Sequence, residues 1–170
     1  MNDRGQVRPG RAAQLDAIDR GIIAALQEDA SIPNRTLAAR ANSTESTVRR
    51  RRAALISRGV IRLTATVDPF KLGYEVMALF GIHVDSRKLG EAESALAEMP
   101  ELRFVGMTLG SYDFLTEAWF ASTSDLVDFV TTRLNKVPGV QRTETLQIAK
   151  LVKYGYDWGH GPGAPAQGPQ

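Results

Sequence analysis

Four consecutive arginines, Arg49–Arg52, form the densest group of side chains in the sequence that could bind an anion. The planar guanidinium group donates two parallel hydrogen bonds, a geometry that suits phosphate oxygens and the guanine edge. Helical steps of about 100° per residue place Val48, Leu55 and Ile56 on one predicted side. The opposite side carries Ser46, Arg50, Ala53 and Ser57. An apolar face opposite a face of hydroxyl and guanidinium groups is what a helix in the DNA major groove requires.

The predicted DNA contacts include several neighbours of this helix. Arg50 can chelate a guanine, while the hydroxyl groups of Ser46 and Thr47 can reach base edges or phosphates. Arg51 and Arg52 lie nearer the buried side, so their stems are expected to pack and their charged ends to extend outward to phosphates. The predicted DNA-binding residues are Asn34, Arg35, Thr44, Ser46, Thr47, Arg49, Arg50, Arg51, Arg52 and Ser57. The alternative is that the arginine run only solvates an exposed helix, but its place after a capped turn favours DNA.

Three short helices are predicted to position this cluster. Asp16, Asn34 and Thr44 are suitable N-caps, and Gly59 is a suitable end for the third helix. The apolar stripe of the first helix consists of Ile18, Ile22, Ile23 and Leu26. The β-branched run from Val60 to Val67 predicts a strand that leads out of a three-helix or winged helix-turn-helix domain.

The rear half of the chain alternates strands and helices in the order β-α-β-β-α-β. This order predicts an α+β domain with the ferredoxin-like arrangement. In the first strand Val76, Ala78, Phe80, Ile82 and Val84 share one face, and Met77, Leu79 and His83 share the other. Ser124 is the predicted cap of the second helix. The predicted elements are strand 75–85, helix 87–99, strand 103–109, turn 110–113, strand 114–120, helix 124–134 and strand 140–152.

The charge is divided unevenly along the 170 residues. Residues 1–61 contain eleven arginines and no lysine against six acidic residues, a net charge of +5, whereas residues 62–170 carry −3. A basic front and an acidic rear indicate a polyanionic partner for the front alone. The predicted division is a disordered basic arm (1–13), a helix-turn-helix domain (14–61), a linker strand (62–73), a ferredoxin-like domain (74–156) and a disordered tail (157–170).

Several other kinds of chemistry are excluded by composition. The chain has no cysteine and two histidines, His83 and His160, so thiolate chemistry and a histidine-rich metal site are not expected. No glycine-rich phosphate loop precedes a helix, so no cofactor is expected. The sequence contains no secretory signal and no apolar run long enough for a membrane helix, which predicts a soluble cytoplasmic protein without a membrane partner.

The combined motifs resemble the Lrp/AsnC (feast/famine) transcription regulators. The resemblance rests on the pattern from Leu15 to Asp29, on Leu37-Ala-x-Arg-Ala41, on Ser46-Thr-Val-x-x-Arg51, and on Gly110-Ser-Tyr-Asp113 and Pro138-Gly-Val in the rear half. It covers residues 15–156. It implies that residues 44–57 enter the groove, that rear domains pair through their sheets, and that dimers assemble further, often to octamers. Family members usually have glycine where Asn42 stands, and asparagine is the next most tolerant residue for a left-handed backbone.

The resemblance also implies a small effector, often an amino acid, bound between rear domains near the Gly-x-Tyr-Asp turn. Asp113 could hold an ammonium group, Tyr112 could cover an apolar side chain, and Gly110 would let a ligand approach the backbone. The candidate effector-binding residues are Thr108, Gly110, Tyr112, Asp113, Thr143 and Thr145. The alternative is that Gly110 and Asp113 serve only the hairpin, since such turns favour both residue types.

The leading prediction is a sequence-specific DNA-binding transcription regulator, modulated by an effector and not an enzyme. One alternative is an architectural DNA-binding protein that needs no effector, which a multimeric protein with a basic arm allows. A second is an enzyme, since some proteins of this build are tetrapyrrole decarboxylases. Such an enzyme would place histidine or arginine in a large pocket and would lack a basic third helix, which this sequence has.

Overall fold

The computed structural model describes residues 13–154, which form two compact units divided between Ala65 and Thr66. The predicted tail and all but the last residue of the predicted arm lie outside the described residues. Within the described part, no helix is both long and apolar enough to cross a membrane.

The first unit contains three helices: α1 (Ala17–Glu28), α2 (Asn34–Arg40) and α3 (Glu45–Ser57). Asp16 caps α1 through a reciprocal pair of hydrogen bonds, in which the amide of Asp19 donates to Asp16 Oδ1 (2.9 Å) and the amide of Asp16 donates to Asp19 Oδ2 (3.3 Å). Buried side chains from the three helices and their connecting turns meet in one core. Its members are Ile22, Ala25, Leu26, Ile32, Leu37, Ala38, Ala41, Val48 and Leu55.

The turn between α2 and α3 contains a left-handed residue, as predicted. Asn42 has φ = 46°, a conformation that asparagine tolerates better than most residues because its short polar side chain can bond locally. Gly59, with φ = 69°, follows the end of α3. Both predictions for the ends of α3, the Thr44 cap and the Gly59 stop, are confirmed.

Two local predictions for this unit were wrong. Pro33 rather than Asn34 occupies the N-cap of α2, and Asn34 is the first helical residue. The strand predicted from Val60 to Val67 does not form, because β-branched residues need a neighbouring strand and this segment has none within the described chain. Val60 and Ile61 pack against the core of the first unit instead, and the rest of the segment is exposed. No strand precedes Val76 in residues 13–75, so the domain is three-helical rather than winged.

The second unit confirms the ferredoxin-like fold. Its four antiparallel strands lie in the order β2-β3-β1-β4 and alternate with two helices. The elements are β1 (Val76–Val84), α4 (Leu89–Ala97), β2 (Leu102–Met107), β3 (Phe114–Phe120), α5 (Thr123–Thr132) and β4 (Val140–Gln147). Ser122, not Ser124, caps α5 by accepting a hydrogen bond from the amide of Asp125. The last strand ends earlier than predicted, at Gln147.

One face of this sheet packs against α4 and α5, and the other is open. The alternation predicted for β1 holds, since Val76, Ala78, Phe80, Ile82 and Val84 all enter the helix-covered core. The strand register identifies the residues on the opposite side of the sheet, which we call the open face. They are Met77, Leu79, Gly81, His83, Phe104, Gly106, Leu115, Glu117, Trp119, Arg142, Glu144 and Leu146.

Candidate nucleic-acid interface

Helix α3 presents a largely polar face to solvent. Val48 and Leu55 are buried, with 0% and 1% of their surface exposed. The exposed positions along the other side are Ser46, Arg49, Arg50, Ala53 and Ser57. The prediction that Ile56 points inward was wrong, because the core covers only a narrow arc of α3 and leaves 40% of Ile56 exposed. The exposed Ile56 side chain adds apolar surface beside the polar face.

Three hydroxyl groups meet at the first turn of α3. Thr44 Oγ1 accepts a hydrogen bond from the amide of Thr47 (3.3 Å) and donates one to Thr47 Oγ1 (2.9 Å). The hydroxyl of Ser46 lies 3.2 Å from the same Thr44 oxygen. The free amide groups at a helix N-terminus favour an anion, and adjacent hydroxyl groups can add donors to it. This turn therefore has the chemistry to contact a DNA phosphate.

Arg51 and Arg52 bond within the domain instead of extending outward as predicted. Arg51 Nη2 lies 2.9 Å from Asp16 Oδ2, and Arg51 Nη1 lies 3.4 Å from both carboxylate oxygens of Asp19. Arg52 Nη1 donates to Asn34 Oδ1 at 3.4 Å. The amide oxygen of Asn34 therefore already accepts a hydrogen bond from Arg52.

The acidic partners of Arg51 were missed in the sequence. The spacing Asp16-x-x-Asp19 places two carboxylates at the start of one helix, where they form a capping box, and this local pattern gives no sign of a basic partner far along the chain. The backbone hydrogen bond from Asp19, assisted by the charge of Arg51, holds the pKa of Asp16 below its ordinary value. Arg35, in the first turn of α2, is exposed and remains a candidate for contact with DNA.

The hairpin between β2 and β3 uses the polar groups of the predicted effector site. Asp113 Oδ2 accepts a hydrogen bond from the amide of Val84 (2.8 Å), and the amide of Asp113 donates to the carbonyl of Ile82 (2.9 Å). The hydroxyl of Thr108 donates to the carbonyl of Tyr112. A Cβ at Gly110 would meet nothing within 4 Å, so no neighbouring atom requires glycine there.

Tyr112 lies over the end of the open face. A Cβ added at Gly81 would come within 2.5 Å of the Tyr112 ring, which shows how closely the ring covers this glycine. The Tyr112 hydroxyl donates to Glu144 Oε2 at 2.8 Å, and this bond to a carboxylate raises the pKa of Tyr112. Arg142 pairs with Glu144 at 2.9 Å, and the ring of His83 lies 5.3 Å from that of Tyr112.

The sheet separates the predicted effector residues into two groups. Thr143 and Thr145 pair with Ile82 and Phe80, so they lie on the helix-covered side of the sheet. Tyr112 lies on the opposite side, beside Glu144. Glu144 was missed, although strand alternation alone places it on the other face from its two threonine neighbours. Among residues 13–154, no group of three or more His, Asp or Glu side chains is arranged to hold a metal ion.

The open face also contains a carboxylate with its hydrogen bonds satisfied. Glu117 Oε1 accepts from the indole nitrogen of Trp119 and from the hydroxyl of Tyr154, each at 2.8 Å. Phe70 and Tyr154 contact Trp119 edge to face, with ring centroids 5.4 and 6.1 Å away. These aromatic contacts cover one end of the open face, Tyr112 covers the other end, and the apolar side chains of Phe104 and Leu146 remain exposed.

A three-helix unit with an exposed basic third helix, followed by a βαββαβ unit, defines a two-domain helix-turn-helix regulator. The AsnC-type helix-turn-helix domain model matches residues 15–56, and the Lrp/AsnC ligand binding domain model matches residues 77–158. The chain therefore belongs to the Lrp/AsnC family of transcriptional regulators.

Individual relatives match this chain over nearly their full length. An uncharacterized HTH-type transcriptional regulator of Pyrococcus abyssi is 36% identical over 152 residues, which cover 89% of this chain and 96% of that protein. The regulator FL11 of Pyrococcus horikoshii is 35% identical, with 82% and 92% covered. The structure of Escherichia coli AsnC matches with a TM-score of 0.78 at 25% identity, covering 84% of this chain and 97% of that one. The Mycobacterium tuberculosis leucine response regulatory protein LrpA matches with a TM-score of 0.72 at 27% identity, with 82% and 96% covered.

Proposed function

We propose that this regulator binds specific DNA sites by inserting α3 into the major groove. The observation that carries the proposal is the face of α3: Ser46, Arg50 and Ala53 are exposed while Val48 and Leu55 are buried. A recognition helix needs this division because its inner side must pack and its outer side must reach base edges.

Each exposed group has a distinct role in the proposed complex. Arg50 chelates the O6 and N7 atoms of a guanine, and the methyl group of Ala53 contacts a thymine methyl. Arg49 and Arg35 neutralise phosphates, and the first turn of α3, with the Thr44 and Thr47 hydroxyl groups, contacts a phosphate oxygen. Phosphate contacts set the register of the helix, whereas base contacts select the sequence.

The partner of the open face is a second copy of this chain. Helices cover one side of the sheet, while Phe104 and Leu146 on the other side are 54% and 52% exposed, which is apolar surface suited to burial. Pairing these faces gives a twofold-symmetric dimer with two recognition helices about 34 Å apart, which reads a partly palindromic site. Further assembly to tetramers or octamers would extend the DNA contact.

An amino-acid effector bound near the 108–113 hairpin is the proposed modulator. The ligand-binding domain match and the polar group formed by Tyr112, Glu144 and Arg142 support this site.

The second candidate function is effector-independent, architectural DNA binding in the cytoplasm. This alternative is favoured by Asp113, because its carboxylate already accepts a hydrogen bond from the amide of Val84 and so serves the fold rather than an effector. A thermal-shift screen over the amino acids separates the two, because a ligand that binds only the folded state raises the apparent stability.

The test of DNA recognition begins with sequencing the DNA fragments that the protein retains in cells. An operator found in this way is titrated with the wild type and with Arg50→Ala, which should lose about 1–3 kcal/mol of specific binding free energy. Arg103→Ala is the matched control, since it removes an exposed arginine from β2. Unchanged operator affinity of the Arg50 variant would contradict the role of α3.

A further inference from the structure

The four consecutive arginines of α3 point in different directions. Arg49 and Arg50 are exposed, whereas Arg51 reaches the first turn of α1 and Arg52 reaches the first residue of α2. Successive helical residues are about 100° apart around the helix axis, so identical side chains in one run point into different surroundings.

We propose that Arg51 is a positioning residue that fixes the orientation of the recognition helix and neutralises no DNA phosphate. The proposal rests on the proposed function, because it divides the arginine run of the same DNA interface. Arg51 joins α3 to both carboxylates that cap α1, at 2.9 Å for Asp16 and 3.4 Å for Asp19. It therefore links the position of α3 to the capped end of a neighbouring helix.

Burial of Asp19 holds Arg51 in place. Only 3% of Asp19 is exposed, and Arg51 is the cation that the structure pairs with its carboxylate. A buried carboxylate without a counter-charge is strongly unfavourable. If a DNA phosphate attracted the guanidinium group of Arg51, Asp19 would be left in that state, so Arg51 stays paired with Asp19. Arg49 and Arg50 have no ion pair among the salt bridges of the described residues and can turn to DNA freely.

The two classes of arginine differ in how their loss changes the salt dependence of binding. Each neutralised phosphate contributes about 0.9 to the slope of log K against log salt concentration. Loss of a phosphate-binding arginine makes this slope shallower. Loss of a positioning arginine leaves the slope unchanged but lowers the ratio of operator affinity to non-operator affinity, since the base-reading side chains are no longer aligned.

The experiment measures this slope on operator and non-operator DNA for the full chain and for Arg49→Ala, Arg51→Gln and Arg51→Lys. Arg49→Ala should reduce the slope by about 0.9 for each bound protomer. Arg51→Gln should keep the wild-type slope and lose roughly tenfold or more in operator selectivity. Arg51→Lys should recover part of that selectivity, because the ammonium group can still pair with Asp16 or Asp19.

Two results would overturn the proposal: a slope for Arg51→Gln that falls as far as that of Arg49→Ala, or an operator selectivity that Arg51→Gln leaves unchanged. If Arg51→Gln does not fold, the Asp19→Asn/Arg51→Gln double variant, which has no uncompensated buried charge, is measured in its place and read by the same criteria. A flat salt response of the wild-type protein itself would instead refute the proposed DNA-binding function. The two failures are therefore distinguishable.

Discussion

Asp113 gives the sharpest test of whether the hairpin residues serve the fold or an effector. Its carboxylate accepts the amide of Val84 at 2.8 Å in a partly buried position. A hydrogen bond to a charged group contributes about 1.5–3 kcal/mol, and Asp113→Ala also leaves the Val84 amide without its partner. We therefore expect Asp113→Ala to lower the free energy of unfolding by about 2 kcal/mol.

Asp113→Asn separates the two roles. The amide oxygen of asparagine can still accept the Val84 hydrogen bond, so the loss should stay near 0.5–1 kcal/mol, about the value of a neutral hydrogen bond. If Asp113 serves only the hairpin, an amino acid that stabilises the wild type should stabilise this variant equally. If its carboxylate holds the ammonium group of the effector, Asp113→Asn should abolish that stabilisation.

Scanning calorimetry of the full chain measures these effects. In a unit of this size a loss of 2 kcal/mol lowers the melting temperature of the second unit by roughly 8–16 °C. Asp128→Ala, which removes an exposed carboxylate from α5, is the control and should shift the midpoint little. A wild-type melting temperature for Asp113→Ala would refute the hydrogen-bond reasoning.

Three further predictions test other parts of the molecule. Phe104→Lys places a charge on the open face and should convert the proposed dimer to monomers, which light scattering measures; an unchanged mass would exclude this face as the interface. Asn42→Val should destabilise the first unit by about 1–2 kcal/mol in thermal unfolding, since a β-branched residue resists φ = 46°, whereas Asn42→Gly should be nearly neutral. Because folding lowers the pKa of Asp16 from its ordinary value of 3.8, its contribution to stability is present above that pH and is lost as the pH falls further. Acid unfolding of Asp16→Asn should therefore depend less on pH below 3.8 than that of the wild type, and equal dependence would contradict the lowered pKa.

Much of the fold could be predicted because local signals and periodicity agree with it. Thr44 and Gly59 delimit α3 by capping chemistry that depends on a few neighbouring residues. The alternation along β1 predicted which side chains enter the core. The segment from Val60 to Val67 shows the limit of this reasoning, since β propensity describes a residue's fit to a sheet and does not supply the neighbouring strand.

The sequence by itself determined that α3 would have a polar face, since helical periodicity is a property of the chain alone. Tertiary structure decided which arginines of that helix are free. Arg51 finds its carboxylates 32 and 35 residues earlier in the chain, and no local pattern measures that distance. The same holds for the sheet, which places Tyr112 beside Glu144 and puts Thr143 on the other side, because strand pairing, not proximity in sequence, brings side chains together.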